Sequence, residues 1–160
     1  MSETSDLASE LERTFRGPAW HGPALLELLA EVDATRAVRR PVDGAHSIWE
    51  IVNHLVVWNE APLRRLAGEA VVDLPPAQDW PPVPEASARH WEHAVTMLRE
   101  AHRKLVCAVE SLRDADLDRP VAGSAPTARG MLFGVLAHNL YHTGQIAMLA
   151  KAQAAGLPRS

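Results

Sequence analysis

Two histidines, His138 and His142, stand four residues apart in the run His-Asn-Leu-Tyr-His. Residues four apart share one face of an α-helix, so both imidazoles would point in the same direction, one turn apart. A pair so placed can bind one divalent metal ion through two ring nitrogens at about 2.1 Å. A chain with eight histidines also produces such a pair by chance. The pair alone therefore leaves a metal site and a coincidence open.

A third histidine, His54, lies in a separate apolar segment, beside Leu55 and Trp58. A single histidine on an apolar face is most often a core or boundary residue. Burying three imidazoles without partners, however, would cost roughly a few kcal/mol each, and one metal ion would satisfy all three. Three neutral nitrogens with open positions for water form a catalytic rather than a closed structural site.

Three long segments have the spacing of apolar residues that is typical of helices. Ser47 and Glu50 form a capping box, which predicts the start of a helix over residues 47–67. Over 85–113 and over 127–154 the apolar residues alternate three and four positions apart, as in the contact face between helices of a bundle. We therefore predict that His54 and the histidine pair face each other from two helices of one bundle.

The remaining segments are shorter or irregular. Residues 5–16 and 23–32 have helical spacing and are separated by a break near Gly17–Gly22. Residues 68–84 contain five prolines and are expected to be extended, and 114–126 are expected to form a loop. Because no strand pattern occurs, we predict an all-α four-helix bundle with a broken first helix, as a single domain over residues 1–160.

Composition and charge exclude several classes of protein. The 160 residues are 47% hydrophobic and 22% charged, which is typical of a globular domain. The net charge of −4 argues against nucleic acid as a partner, and no stretch is apolar enough to suggest a membrane span. The N-terminus is polar and acidic, without a secretory signal, so we expect a cytoplasmic protein. The single cysteine, Cys107, lies between Leu105 and Val109 and is expected to be buried and inert.

Other common catalytic patterns are absent from the sequence. There is no His-Glu-x-x-His protease motif, no repeated Glu-x-x-His of di-iron bundles, no glycine-rich phosphate loop and no Gly-x-Ser-x-Gly. The histidines are thus the strongest indication of chemistry in the chain.

The sequence resembles the DinB/YfiT-like superfamily. The resemblance rests on the run from His46 to Leu55, on His138-x-x-x-His142 followed by Thr-Gly-Gln-Ile, and on the tryptophan- and proline-rich connection between them. It implies a four-helix bundle with up-down-down-up topology that binds one divalent ion, through one histidine of the second helix and two of the last. The corresponding residues here are His54, His138 and His142.

The resemblance also implies a range of activities. Some members are thiol S-transferases or isomerases that use bacillithiol, mycothiol or glutathione, and many are described only as metal-dependent hydrolases. We therefore expect a metal-dependent enzyme for small molecules, most simply a thiol S-transferase. The alternatives are a metal-dependent hydrolase and a non-catalytic bundle that binds a metal or a ligand. The ion would be Zn, Ni, Fe or Mn, and a homodimer is expected because family members are often dimers.

Several residues near the candidate ligands have more than one interpretation. Gln145 could hydrogen-bond a substrate or water, or simply be polar. Glu50 could orient an imidazole or act as a base, although the capping box already accounts for it. His102 interrupts an apolar face and could be a fourth metal ligand, a residue that contacts one of the metal ligands, or a buried histidine hydrogen-bonded to the backbone. The role of His21 is open.

The aromatic residues give a further set of expectations. We expect an electrophilic substrate to lie against Trp49 or Trp58, since both are in the helix that carries His54. Trp20 and Trp80 could each border a pocket or pack over the end of the bundle. Tyr141 is expected to face away from the histidine pair because of its angle on the helix.

Overall fold

The computed structural model describes residues 2–122 and 127–155, and helices make up most of this part of the chain. No strand occurs in these residues, so the prediction of an all-α protein is confirmed. The helices are α1 Glu3–Arg16, α2 Leu25–Ala30, α3 Ala34–Ala37, α4 Ile48–Leu66, α5 Pro76–Asp79, α6 Ala88–Ser111 and α7 Ala128–Ala154, with a 3-10 helix at Asp114–Asp118 between α6 and α7.

The two helices that carry the candidate ligands begin where the capping signals predict. The Ser47 hydroxyl accepts a hydrogen bond from the Glu50 amide at 3.2 Å, and the Glu50 carboxylate accepts one from the Ser47 amide at 2.8 Å. Thr127 caps α7 through the amide of Gly130. Because these caps satisfy amides that have no partner inside the helix, they fix where α4 and α7 start.

The start of α6 differs from the prediction. Pro84 and Glu85 lie outside this helix, whose first residue is Ala88. Ser87 has an extended backbone, and its hydroxyl accepts the amide of His90 at 3.2 Å. A serine in this position is a strong N-cap, and it ends the proline-rich connection three residues later than we expected.

The break in the first helix separates two distinct helices. Arg16 ends α1, and Gly17 follows with φ of +90°, a conformation that favours glycine. A β-carbon at Gly17 would also lie 2.8 Å from a carboxylate oxygen of Glu27. The second helix starts at Leu25 rather than at Pro23, and the short α3 was not predicted.

The proline-rich connection is not fully extended, because Pro76–Asp79 form the single turn α5. A proline fixes φ near the helical value, so it favours the first turn of a helix. This turn contacts α4 and brings Asp79 and Trp80 beside His54. The predicted loop after α6 likewise contains the 3-10 helix.

A buried pair of amides fixes α4 against α7. Asn59 donates to the side-chain oxygen of Asn139 at 3.1 Å, and Asn139 donates back to Asn59 at 3.0 Å. Asn59 also donates to the carbonyl of Leu55 at 2.7 Å. Because buried amides are costly when unpaired, this pair strongly favours one register between the two helices. Asn139 directly follows His138, so the same register positions the histidine pair opposite His54.

The rest of the bundle packs around this contact. α4 packs against α6 and α7, and α1 packs against α6. Trp49, Ile51 and Leu55 of α4 are almost fully buried, and they meet Leu98 of α6 and Ile146 of α7 in the core. In the described part of the chain, we find no helix with the length and apolar character needed to cross a membrane.

Candidate metal centre

The side chains of His54, His138 and His142 converge at one point between α4 and α7. The Nε2 atom of His138 lies 3.1 Å from Nε2 of His54 and 3.1 Å from Nε2 of His142. One nitrogen from each of the three rings falls within 4.8 Å of the others. The structure thus brings together the three residues that the sequence analysis singled out.

Two of the rings are held by hydrogen bonds on their other nitrogen. Nδ1 of His54 lies 2.8 Å from the carbonyl oxygen of Asp79 and 3.2 Å from its carboxylate. Nδ1 of His142 lies 2.7 Å from the side-chain oxygen of Gln145. These oxygens only accept hydrogen bonds, so in each ring the proton belongs on Nδ1 and the lone pair on Nε2. Both lone pairs are then directed at the shared point.

The donor set fits a divalent metal ion. Two nitrogens bound to one ion at about 2.1 Å each cannot be more than about 4.2 Å apart, and both Nε2 separations of 3.1 Å are within that limit. Nδ1 of His138 is buried and has no hydrogen-bond partner in the described residues. Of the three rings, therefore, those of His54 and His142 are oriented by a hydrogen bond on Nδ1 and that of His138 is not.

The environment keeps all three rings neutral. Burial, with smaller contributions from the neighbouring His142 and His54, lowers the pKa of His138 to about 4, although Asp79 partly opposes this shift. Burial also lowers the pKa of His54 and of His142, although the contacts with Asp79 and Gln145 partly oppose this. A neutral imidazole is the form that binds a metal, so these rings need not lose a proton at pH 7 to bind one.

Two residues of the centre were missed by the sequence analysis or left with an open role. The carboxylate of Asp79 accepts a hydrogen bond from the indole of Trp58 at 2.7 Å, in addition to its contacts with His54. The ring of Trp80 stacks on His54 with a centroid separation of 3.9 Å, and on His46 at 3.5 Å. In the sequence, the only indication that the proline-rich connection contributes to the site was the neighbouring pair Asp79 and Trp80 among its five prolines.

A cleft of about 530 Å³ adjoins the cluster on the side of His142. Trp80 and Ile51 border it from one side, and Tyr141, Gln145 and Met148 of α7 border it from the other. The three histidines therefore lie at the edge of a space that can admit a small molecule.

The structure distinguishes between the two polar residues considered as helpers. Gln145 contacts the imidazole of His142 and also borders the cleft. Glu50 forms the capping box and an ion pair with Arg40, and its carboxylate approaches His46 to 3.8 Å. The capping interpretation accounts for Glu50, because its contacts do not include any of the three clustered histidines.

His102 lies outside the cluster. Its ring stacks on Phe15 at 3.7 Å, between α1 and α6, and is 1% exposed. Neither ring nitrogen has a hydrogen-bond partner in the described residues, and Glu12 approaches Nε2 to 3.7 Å. The interpretations of His102 as a metal ligand and as a histidine bonded to backbone are therefore both wrong.

Four expectations about single residues need correction. Cys107 is exposed rather than buried, since it is two residues from Leu105 and therefore on the opposite side of α6. Tyr141 is exposed, yet its ring meets His142 edge-on at 5.1 Å. Trp49 is fully buried against Trp91 and does not border the cleft beside the histidine cluster. Trp20 is fully exposed and packs over nothing, and the neighbouring His21 is exposed as well.

Comparison with protein families agrees with this arrangement. The pattern of the DinB superfamily matches residues 19–146, which is most of the chain and includes all three histidines. The chain belongs to the DinB superfamily. No curated protein and no solved structure matches it. The DinB superfamily is a metal-binding family, and the clustered histidines of this member could hold a metal ion.

Proposed function

We propose that this DinB-like protein binds one divalent metal ion through His54, His138 and His142, and uses it to transfer a low-molecular-weight thiol to an electrophilic small molecule. The observation that carries the proposal is the convergence of three imidazoles, with Nε2 of His138 lying 3.1 Å from Nε2 of each of the other two. The rings of His54 and His142 are each held by a hydrogen bond on Nδ1. Zn, Ni, Fe and Mn all suit such a set of ligands.

The ligand set determines what the ion would supply. Because three neutral imidazoles leave its full positive charge, the ion would lower the pKa of a bound thiol or water. In the transfer, the thiol loses its proton and its sulfur forms a bond to carbon. The reaction either displaces a leaving group such as halide or adds across a carbon–carbon double bond that takes up the proton.

The chain itself would position the reactants. The carbonyl of Asp79 and the side chain of Gln145 hold two imidazoles in the binding tautomer. Trp80 covers the ring of His54 and keeps water from that side. The exposed thiol of Cys107 lies on α6 and does not border the cleft, so the chain offers no cysteine nucleophile in the described residues there.

The proposal is tested by thiol conjugation. We expect metal-loaded protein to conjugate at least one of glutathione, bacillithiol and mycothiol to a generic chlorinated or unsaturated electrophile. His138→Ala should lower this rate at least about a hundredfold. The rate of the wild type should rise with pH through a pKa below the roughly 8.5 of a free thiol. Absorbance of the conjugate measures both quantities.

Two outcomes would redirect the proposal. Equal rates in the wild type and in His138→Ala would contradict chemistry at the histidine cluster for that pair of substrates. If the protein binds metal but uses none of the three thiols, a metal-dependent hydrolase becomes the better assignment. If the protein also leaves ester and amide substrates intact, a non-catalytic binding protein becomes the better assignment.

Gln145 provides a separate test of the metal centre. Gln145→Leu removes the acceptor for Nδ1 of His142, and we expect it to weaken metal affinity by roughly 10–100-fold while one ion still binds at saturation. Competition with a coloured chelator measures the affinity. The matched control is Gln153→Leu on the same helix, where the side chain instead donates to the carbonyl of Arg36. Equal affinities in the two variants would show that Gln145 does not support the site.

Homodimer formation is also proposed. Residues 130–140 contain no Asp, Glu, Lys or Arg, and Phe133 and Ala137 are exposed in this first part of α7. An uncharged exposed helix face supports association with the same face of a second copy. Light scattering that shows a monomer at micromolar concentration would contradict this. The single domain over residues 1–160 and the cytoplasmic location stay predictions.

A further inference from the structure

We propose that the cleft beside His142 binds an uncharged, apolar molecule, with an aromatic ring or a branched aliphatic group against Trp80 and Tyr141. The identification of this molecule as the electrophilic substrate rests on the proposed function. The preference of the cleft for such molecules is argued only from the residues that line it.

The walls of the cleft are largely apolar. Side chains from the loop before α4, from α4 itself, from the proline-rich connection and from α7 contribute Val42, Ala45, Ile51, Trp80, Tyr141 and Met148. A volume of about 530 Å³ is within the range of pockets that enclose small organic ligands. The shape and the lining are therefore those of a binding pocket for a small apolar molecule.

The apolar residues at the rim are unusually exposed. Val42, Tyr141 and Met148 are 48%, 64% and 67% exposed, and all three border this one cleft. Covering such area with an apolar ligand releases water from both surfaces, which favours binding. Their grouping around one opening is what a binding mouth requires, whereas scattered exposed residues would need no explanation.

The cleft offers nothing to a charged ligand. None of the described residues that border it is Asp, Glu, Lys or Arg. Its polar groups are the imidazoles of His46 and His142 and the amide of Gln145, of which the last two bond each other and the first stacks on Trp80. A charged group against these residues would lose water without gaining an ion pair with any of them, so the lining itself favours uncharged molecules.

The cleft also leads to the metal centre. His142 borders it, and the rings of Trp80 and Tyr141 lie 6.0 Å and 5.1 Å from the His142 ring. A molecule between these aromatic rings therefore has one end beside the imidazole that joins the cluster. This placement suits the acceptor of a group transfer, whereas glutathione, with its two carboxylates, does not suit the cleft.

A matched pair of fluorescent probes tests the preference. N-Phenyl-1-naphthylamine is uncharged, and 8-anilino-1-naphthalenesulfonate has the same aromatic frame with an added sulfonate. We expect the uncharged probe to bind the wild type with one saturable site and at least about tenfold more tightly than the sulfonate, because the sulfonate would be buried without a partner. Fluorescence titration gives both dissociation constants.

Two substitutions of methionine locate the probe. Met148→Glu adds a charge at the rim and should weaken binding of the uncharged probe about fivefold or more. Met97→Glu makes the same change in a different pocket, between α4 and α6, and should leave the dissociation constant within about twofold of the wild type. Equal effects of the two substitutions, or a sulfonate that binds as tightly as the uncharged probe, would overturn the proposal.

The same titration separates this proposal from the proposed function. His138 does not border the cleft, so His138→Ala should bind the uncharged probe as the wild type does, even if it binds no metal. In the wild type, probe binding without metal binding would support the cleft and contradict the proposed function. Metal binding without saturable probe binding would do the reverse.

Discussion

Purified wild-type protein is expected to contain about one divalent ion per chain, and His138→Ala almost none. His138 is the ring whose Nε2 lies 3.1 Å from both of the other Nε2 atoms, so its removal takes away the central one of three ligands. The loss of affinity should exceed the roughly 10–100-fold that follows removal of an outer partner such as Gln145. Elemental analysis after gel filtration measures the stoichiometry.

The control for this variant is His93→Ala, which removes an exposed histidine of α6. It should retain the metal content of the wild type. Because an ion that binds only the folded state stabilises it, the wild type should also melt at a higher temperature with metal than with a chelator, and His138→Ala should not. Full metal retention in His138→Ala would remove this residue from the ligand set and contradict the proposed site.

Replacing His102 with leucine is expected to make the protein more resistant to acid. Burial and, to a smaller extent, the charge of Arg16 together lower the pKa of His102 from 6.5 to about 3 in the folded state. Between these two pH values the unfolded chain binds a proton that the folded chain does not. The free energy of unfolding therefore falls as the pH drops from about 6.5 towards about 3, by up to about 5 kcal/mol from this residue.

His102→Leu removes this contribution. It also replaces a ring whose nitrogens have no hydrogen-bond partner in the described residues, so little is lost at pH 7. When the pH falls from 7 to 5, the free energy of unfolding should decrease by about 2 kcal/mol less in the variant than in the wild type. Urea unfolding at the two pH values measures the difference, and the exposed His93→Leu serves as the control. Equal pH dependence in the wild type and His102→Leu would show that His102 is protonated in the folded state.

The correction at His102 shows the limit of an energetic argument made from sequence. The cost of an unpartnered imidazole was one reason to group buried histidines around a metal ion. That reasoning agrees with the arrangement of His54, His138 and His142, but His102 is equally buried although neither ring nitrogen has a hydrogen-bond partner in the described residues. Its ring instead stacks on Phe15, a residue of another helix, and the sequence contains no signal for that contact.

Local features of the chain were predictable because helix geometry is local. The four-residue spacing of His138 and His142 places both on one face whatever surrounds them. The caps at Ser47 and Thr127 act within three residues, so the starts of α4 and α7 follow from the sequence. Spacing alone could not connect His54 to a helix more than 80 residues away. The cost of burying three imidazoles suggested that connection, and the resemblance to the superfamily matched the same three residues.

Contacts between distant segments were decided only by the tertiary structure. Asp79 and Trp80 reach His54 because the proline-rich connection folds into α5, and Asn59 pairs with Asn139 because α4 and α7 pack in one register. The exposure of Cys107 likewise depends on which side of α6 the other helices cover. Hydrophobic spacing fixes which face of a helix is apolar, but burial and polar pairing are set by the neighbours that pack against it. The sequence by itself therefore determined the long helices and the three candidate ligands, while packing determined the short helices, what surrounds those ligands and what lines the adjoining cleft.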